Sequence, residues 1–141
     1  MQVVYFVDKY CMKRATGKSH CPINFTLESV GDSWGLLIMR DILIFGKRRY
    51  KEFAESEEKI STNILADRLK LLEQNGIIEK MCEQYLPTQK GLELVPLLIE
   101  FALWGAKHDS KTASPKHLMR LAKTNPAQFR KAMREFTPQK K

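Results

Sequence analysis

The part of this chain that most constrains its fold is residues 50–79. A short amphipathic segment leads into a charged turn, and a second segment with helical apolar spacing opens at Ser61, a favoured helix N-cap residue. Asn75 and Gly76 suit the C-terminal cap of that second helix, and a β-branched run follows over residues 77–82. Two helices joined by a short turn and followed by a strand are typical of a winged helix-turn-helix.

The segments on either side extend this pattern into a mainly helical domain. Residues 33–45 are apolar nearly all round, which indicates a helix buried at the centre of the domain. Residues 83–88 supply the second strand of a short hairpin, and residues 91–107 form a helical pattern that Pro96 should kink. We therefore predict a mainly α fold with a small β-hairpin wing.

We divide the 141 residues into three parts. Residues 1–20 are an N-terminal arm whose pattern does not decide between strand and helix. Residues 21–108 are the winged helix-turn-helix domain, and residues 109–141 are a C-terminal extension. Two cap-plus-proline pairs, Ser114-Pro115 and Asn125-Pro126, predict two short helices there with apolar sides. We expect the terminal helices to join two copies of the chain as a homodimer.

Charge is unevenly distributed along the sequence. The formal net charge is +8, and the residues from Pro115 onward contribute 8 basic and 1 acidic side chains, or +7. The first 114 residues therefore carry only +1, from 16 basic and 15 acidic side chains. A basic protein favours an anionic partner, but here the surplus lies outside the helix-turn-helix segment. The motif is the stronger indication of DNA binding.

Composition argues against several other protein classes. The three cysteines (Cys11, Cys21 and Cys82) are odd in number and lack paired metal-site spacing, which disfavours a disulfide scaffold or a zinc ribbon. The three histidines are scattered, and we find no phosphate loop or nucleophile motif, so we expect no metal, no cofactor and no enzymatic activity. The apolar stretches are short and carry charges, and no signal peptide is recognisable. We expect a cytoplasmic protein that does not bind membranes.

The helix that opens at Ser61 carries a polar face opposite its leucines. Free N–H groups at a helix N-terminus suit phosphates, and hydroxyl and amide side chains suit base edges. We therefore predict double-stranded DNA as the partner, with six residues able to reach a groove: Ser61, Thr62, Asn63, Ala66, Asp67 and Lys70. Arg68 falls on the apolar side of this helix, so it needs an acidic partner or must extend to a phosphate.

A basic cluster precedes and enters the first helix of the motif. It comprises Lys47, Arg48, Arg49 and Lys51. We predict that it clamps the DNA backbone, a contact that positions a protein without reading sequence. The alternative is a charged turn that faces solvent. Lys80, at the start of the wing, completes the predicted DNA-contact set.

With these residues in place, the chain resembles the HxlR-type family of winged helix-turn-helix transcriptional regulators. The resemblance covers residues 21–105 and is carried by Cys21-Pro22, by residues 31–41 around Trp34, and by residues 46–53, 60–61, 65–73, 76–77, 85–91 and 104–105, with Leu97. It implies a homodimer that binds a pseudo-palindromic operator and represses or activates nearby genes. The chain departs from the family in its short wing and in Ser33, where a lysine is usual before the tryptophan.

Cys21 carries a second implication of the resemblance. Some members of the family respond to thiol-reactive stress through the cysteine at this position, and a thiol near a helix N-terminus is favoured as the reactive thiolate. The alternative is a small apolar residue buried under the dimer interface. A winged-helix module that binds protein, and an architectural protein that binds DNA without sequence preference, are the other functions that the sequence allows. An unknown small-molecule effector is also compatible with it.

Overall fold

A computed structural model describes residues 18–112, 120, 124–125 and 127–128. Most of the predicted N-terminal arm and most of both predicted helices of the C-terminal extension lie outside the described residues. The described part contains six helices and two strands in the order α1 Pro22–Val30, α2 Ser33–Leu43, α3 Tyr50–Ala54, α4 Thr62–Gln74, β1 Ile78–Met81, β2 Gln84–Pro87, α5 Gln89–Leu92 and α6 Val95–His108. The mainly helical fold with a hairpin wing is confirmed.

α2 is the central helix of the domain. Asp32 caps it, because its carboxylate accepts hydrogen bonds from the backbone N–H groups of Trp34 (3.0 Å) and Gly35 (3.3 Å). α2 packs against α4, β2 and α6, while α1 packs against α4. The buried core follows these contacts and includes Ile38, Met39, Ile42, Phe53, Leu65, Leu69, Leu72, Ile77, Ile78 and Ile99. Apolar burial of this kind is the main favourable contribution to folding.

The wing consists of residues 78–87. Its strands pair antiparallel from Ile78 opposite Pro87 to Met81 opposite Gln84. Only Cys82 and Glu83 connect them, and both adopt left-handed backbone conformations, with φ of 48° and 60°. Two left-handed central residues are the geometry that suits the right-handed twist of a two-residue hairpin. The short hairpin predicted from sequence is therefore present, with strands slightly shorter than predicted.

The expected effect of Pro96 was wrong. The sequence predicts one kinked helix over residues 91–107, whereas the chain ends α5 at Leu92 and starts α6 at Val95. Pro96 lies in the first turn of α6. Proline lacks an N–H, and the first turn of a helix has no intrahelical partner for that group. The residue therefore begins a helix here instead of bending one.

Candidate nucleic-acid interface

α4 is the recognition helix of the predicted motif, and its polar end is accessible. Ser61 caps it by accepting a hydrogen bond from the backbone N–H of Ile64 (3.4 Å). Leu65, Leu69 and Leu72 hold its opposite face in the core. All six residues predicted to reach a groove are exposed: Ser61, Thr62, Asn63, Ala66, Asp67 and Lys70. The side-chain pattern of α4 thus agrees with the face assigned from its helical period.

α3 has only five residues, too few to be stable as an isolated helix. Phe53 anchors it in the core and makes an edge-on contact with the ring of Tyr85, at 6.0 Å between centroids. The hydroxyl of Tyr50 donates to the backbone carbonyl of Thr62 (3.0 Å), in the first turn of α4. This hydrogen bond connects the first turn of α4 to α3. Tyr50 was not among the predicted site residues, and nothing in the sequence pattern indicates this bond.

The start of α3 is held by a capping carboxylate. Glu52 accepts hydrogen bonds from the backbone N–H groups of Arg48 (2.8 Å) and Arg49 (2.7 Å). These two bonds lower the pKa of Glu52. A carboxylate in the first turn also interacts favourably with the positive end of the helix dipole. The backbone of Arg48 and Arg49, two members of the predicted basic cluster, is therefore held by hydrogen bonds to Glu52.

Two members of the basic cluster have partners inside the protein. The ammonium group of Lys47 donates to the carboxylate of Asp41 (3.1 Å) and to the hydroxyl of Ser56 (2.6 Å). Nη1 of Arg48 donates to the backbone carbonyls of Ile42 (2.8 Å) and Lys47 (2.9 Å), and partial burial lowers the pKa of Arg48. As DNA contacts, both residues stay predictions. The structure instead explains them as supports for the loop before α3.

The other basic residues of the predicted set are more accessible. Arg49 and Lys51 are exposed, and Lys51 lies 3.9 Å from Glu55 in an exposed pair. Lys80 lies 3.6 Å from Glu83 and 5.6 Å above the ring centre of Tyr85. Exposed pairs of this kind contribute little stability, so their cations can exchange partners at small cost.

Arg68 has the acidic partner that its position requires. Its guanidinium contacts Asp32 through two hydrogen bonds, which lower the pKa of Asp32 and raise the pKa of Arg68. Two of its nitrogens are thereby occupied, so the structure favours the first of the two roles predicted for it. Asp32 was not a predicted site residue. Its position just before a helix indicates the cap, but its partner 36 residues away is not visible in the sequence.

Comparison with known families agrees with this geometry. The family model described as HxlR-like helix-turn-helix matches residues 29–113. The chain belongs to the HxlR-like helix-turn-helix family. The resemblance found in the sequence is confirmed, and with it DNA binding and transcription regulation.

Individual relatives and a solved structure are also named as regulators. The uncharacterized HTH-type transcriptional regulator YdeP of Bacillus subtilis (strain 168) is 31% identical over 99 residues, which cover 64% of this chain and 76% of YdeP. The HTH-type transcriptional regulator YodB of the same strain is 34% identical over 96 residues, covering 62% and 85% of the two chains. The redox regulator HypR in its oxidized form has a TM-score of 0.54 and 29% identity, covering 67% of this chain and all of HypR.

Cys21 occupies the N-cap position of α1 in this HxlR-like protein. It is exposed in the single chain, and its side chain makes no capping hydrogen bond. Cys82 is also exposed, at the tip of the wing, whereas Cys11 lies outside the described residues. Redox sensing by Cys21 stays a prediction. The described part contains no cluster of side chains suited to a metal ion and no helix long and apolar enough to cross a membrane.

Proposed function

We propose that this HxlR-like regulator binds a pseudo-palindromic operator as a homodimer, with the first turns of α4 of each protomer in a major groove. One observation carries the proposal: the N-terminal end of α4 is accessible, and the six residues on its polar face are all exposed. A groove-binding helix must present its end in this way, because the edges of bases lie below the level of the phosphates.

The chemistry of this face suits base reading. Asn63 can pair bidentately with an adenine, and the hydroxyls of Ser61 and Thr62 can donate to or accept from bases or phosphates. Asp67 suits the amino group of a cytosine, since a carboxylate would be repelled by phosphates. We propose that these four residues determine the sequence preference. The small side chain of Ala66 would allow the helix to approach the DNA closely.

Phosphate contacts follow from the accessible cations. Lys70 lies one turn further along α4, and Arg49, Lys51 and Lys80 flank the helix from α3 and the wing. All four are exposed. We propose that they contact the backbone on either side of the groove, where they would add affinity without sequence information.

Dimerisation is supported by apolar surface that one protomer leaves uncovered. Phe101 and Trp104 of α6 are 53% and 68% exposed, and Ile23 and Leu27 of α1 are also exposed. Contiguous exposed apolar surface often marks an interaction site, and Phe101 and Trp104 are neighbours on one side of α6 because they are three positions apart in the helix. A two-fold dimer formed through α6 and the terminal segments would place its half-sites about 10 bp apart, or a multiple of that distance.

The test is fluorescence anisotropy with the DNA upstream of this protein's own gene and with a scrambled duplex of equal length, over a salt series. We expect tighter binding to the native fragment and a steep loss of affinity with salt for both, because released counterions drive phosphate contacts. Equal binding to both duplexes would favour an architectural protein. Binding to neither at low salt would favour a protein-binding module.

Thiol sensing is a second candidate function. It is favoured by the exposed Cys21 at a helix N-terminus and by the similarity to the redox regulator HypR. We expect a thiol oxidant to change the affinity of the wild type, and expect Cys21→Ser to abolish that change. Cys82→Ser is the matched control because its thiol is also exposed. If Cys82→Ser alone abolished the response, the sensor would lie in the wing.

A further inference from the structure

A polar cluster joins α2 to both ends of α3. We call it the Asp41 cluster; its members are Arg40, Asp41, Lys47, Ser56 and Glu58. Asp41 is only 2% exposed. Its Oδ1 accepts from Nε (3.0 Å) and Nη2 (2.7 Å) of Arg40, and its Oδ2 accepts from the Lys47 ammonium (3.1 Å) and the Ser56 hydroxyl. The carboxylate is thus satisfied on both oxygens, as a buried charge must be.

A second ion pair extends the Asp41 cluster toward solvent. Nη1 and Nη2 of Arg40 lie 2.5 Å and 3.0 Å from the two oxygens of Glu58. This bidentate contact lowers the pKa of Glu58 to about 2. The guanidinium also lies 5.3 Å from the ring centre of Phe45. One arginine therefore connects a buried carboxylate on its own helix to a carboxylate in the turn after α3.

The cluster holds the chain on both sides of α3. Lys47 precedes that helix, whereas Ser56 and Glu58 follow it. The backbone N–H of Lys59 donates to the carbonyl of Ser56 (2.9 Å), and Lys59 adopts a left-handed conformation with φ of 53°. A residue other than glycine keeps this conformation only where the surrounding contacts impose it. Two residues later the chain reaches Ser61, the cap of α4.

We propose that Asp41 is a positioning residue for DNA binding, which sets the turn between α3 and α4 through Ser56, Lys47 and Arg40 and thereby aims the end of the recognition helix. The helix α3 is too short to define this turn by its own hydrogen bonds. Phe53 fixes its depth in the core and the Tyr50 hydroxyl bonds to the first turn of α4, whereas the Asp41 cluster supplies side-chain bonds to the turn itself, at Ser56 and Glu58. The inference rests on the proposed docking of α4 in a groove.

The direction in which Asp41→Asn changes DNA affinity distinguishes a positioning role from an effect of net charge. Asp41→Asn removes one negative charge, and electrostatics alone would then strengthen binding to a polyanion. Positioning predicts the opposite result, because the amide leaves Lys47 and Arg40 without their buried counter-charge and releases the turn. Glu57→Gln is the matched control: Glu57 is an exposed acid in the same turn and is not a member of the Asp41 cluster.

The experiment measures anisotropy with the native upstream fragment and the scrambled duplex for the wild type, Asp41→Asn, Glu58→Gln and Glu57→Gln. We expect Asp41→Asn to lose about tenfold or more in affinity for the native fragment, since a misaimed helix misses its contacts. Glu58→Gln, at the accessible end of the cluster, should lose less, and Glu57→Gln should bind as tightly as the wild type or slightly more tightly. If Asp41→Asn fails to fold, Glu58→Gln decides the outcome. Weaker binding by Glu58→Gln than by Glu57→Gln would support the proposal, and equal binding by the two variants would overturn it.

A readout without DNA separates failure of this inference from failure of the proposed function. Amide hydrogen exchange reports protection of the Ser56 and Lys59 N–H groups, which donate to Phe53 and Ser56 carbonyls. In Asp41→Asn we expect these amides to lose protection while amides in the middle of α2 keep theirs. If the wild type binds DNA and Asp41→Asn binds with the same affinity, the positioning role is overturned. Unchanged protection of the turn amides in Asp41→Asn would overturn it as well. A wild type that binds neither duplex would contradict the proposed function alone.

Discussion

The guanidinium of Arg68 meets the carboxylate of Asp32 through two parallel contacts, with Nε 2.9 Å from Oδ1 and Nη2 2.6 Å from Oδ2. The same carboxylate accepts from the backbone N–H of Trp34 at the start of α2. One acidic side chain therefore caps the central helix and holds the middle of the recognition helix. Its loss should affect both helices, whereas loss of Arg68 should affect only their connection.

This difference predicts unequal costs for the two partners. Arg68→Met should lower the free energy of unfolding by less than about 1 kcal/mol, because the pair is partly exposed. Asp32→Ala should cost about 1–2 kcal/mol, since it also removes the helix cap. Urea unfolding of each variant measures both values. An Arg68→Met variant less stable than Asp32→Ala would contradict the assignment of the cap as the larger contribution.

Acid should destabilise the fold through Glu58. Its pKa is lowered from 4.5 to about 2 by the hydrogen bonds from Arg40, so the folded state binds this proton less readily than the unfolded state. The stabilisation is therefore complete above about pH 4.5 and is lost as the pH falls towards about 2. Asp32, whose pKa Arg68 lowers, acts in the same direction.

Thermal unfolding at several pH values tests the contribution of Glu58. We expect Glu58→Gln to flatten part of the decline in Tm between about pH 4.5 and about pH 2, because the amide does not titrate. Glu57→Gln should keep the decline of the wild type. If the two variants have the same pH profile, the Arg40–Glu58 pair does not contribute to acid sensitivity.

Gly35 should tolerate no side chain. A Cβ at this buried position would lie 1.7 Å from the backbone carbonyl oxygen of Val30. We expect Gly35→Ala to cost at least about 2 kcal/mol, because α1 and α2 would have to separate. Gly105→Ala in α6 is the control: nothing lies within 4 Å of its added Cβ, and alanine favours helix by up to about 1 kcal/mol. Urea unfolding should show opposite signs, and equal losses would refute the predicted clash.

Within α4, Asn63 and Lys70 should affect binding differently. We expect Asn63→Ala to reduce the preference for the native fragment over the scrambled duplex by about 1–3 kcal/mol, as for loss of a bidentate base contact. Lys70→Ala should weaken binding to both duplexes alike and reduce the salt slope by about one phosphate. Anisotropy titrations distinguish the two patterns. An Asn63→Ala variant with unchanged affinity and preference would show that the groove assignment is wrong.

The exposed aromatic surface of α6 predicts the effect of Trp104→Glu. Because this side chain is 68% exposed in one protomer, the substitution should leave the helical circular dichroism unchanged. A charge placed in an apolar contact should nevertheless shift a dimer towards monomer. Sedimentation velocity measures the shift, with Asn63→Ala as a control that should stay dimeric. Identical sedimentation of all three proteins would place the interface elsewhere or exclude dimerisation through α6.

Local signals in the sequence explain which parts of the fold could be predicted. Ser61 and Gly76 act through their own backbone neighbourhood, so the limits of α4 are visible in the residue types alone. The period of the leucines separates the buried face of α4 from the exposed one in the same way. These features require no knowledge of what lies across the domain.

The partners of charged residues could not be predicted from local sequence signals. Lys47 and Arg49 look alike in the sequence, yet only Lys47 reaches a buried carboxylate, because Asp41 and Ser56 converge on it after folding. A basic run therefore predicts a patch but not which cations remain accessible. Pro96 shows a related limit, since the residue is compatible with either a kink or a helix start and the preceding turn decides between them.

The tip of the wing has a mechanical consequence. Cys82 and Glu83 close the hairpin in left-handed conformations, which cost residues other than glycine about 1–2 kcal/mol each. Four-residue strands at about 3.3 Å per residue give a projection of only about 13 Å. The wing is thus a short hairpin with no loop beyond its two-residue turn. If two protomers share one operator, a wing this short offers little reach for a longer or shorter spacer between the half-sites. The range of spacer lengths that the protein binds would therefore measure the flexibility of the contact between the protomers.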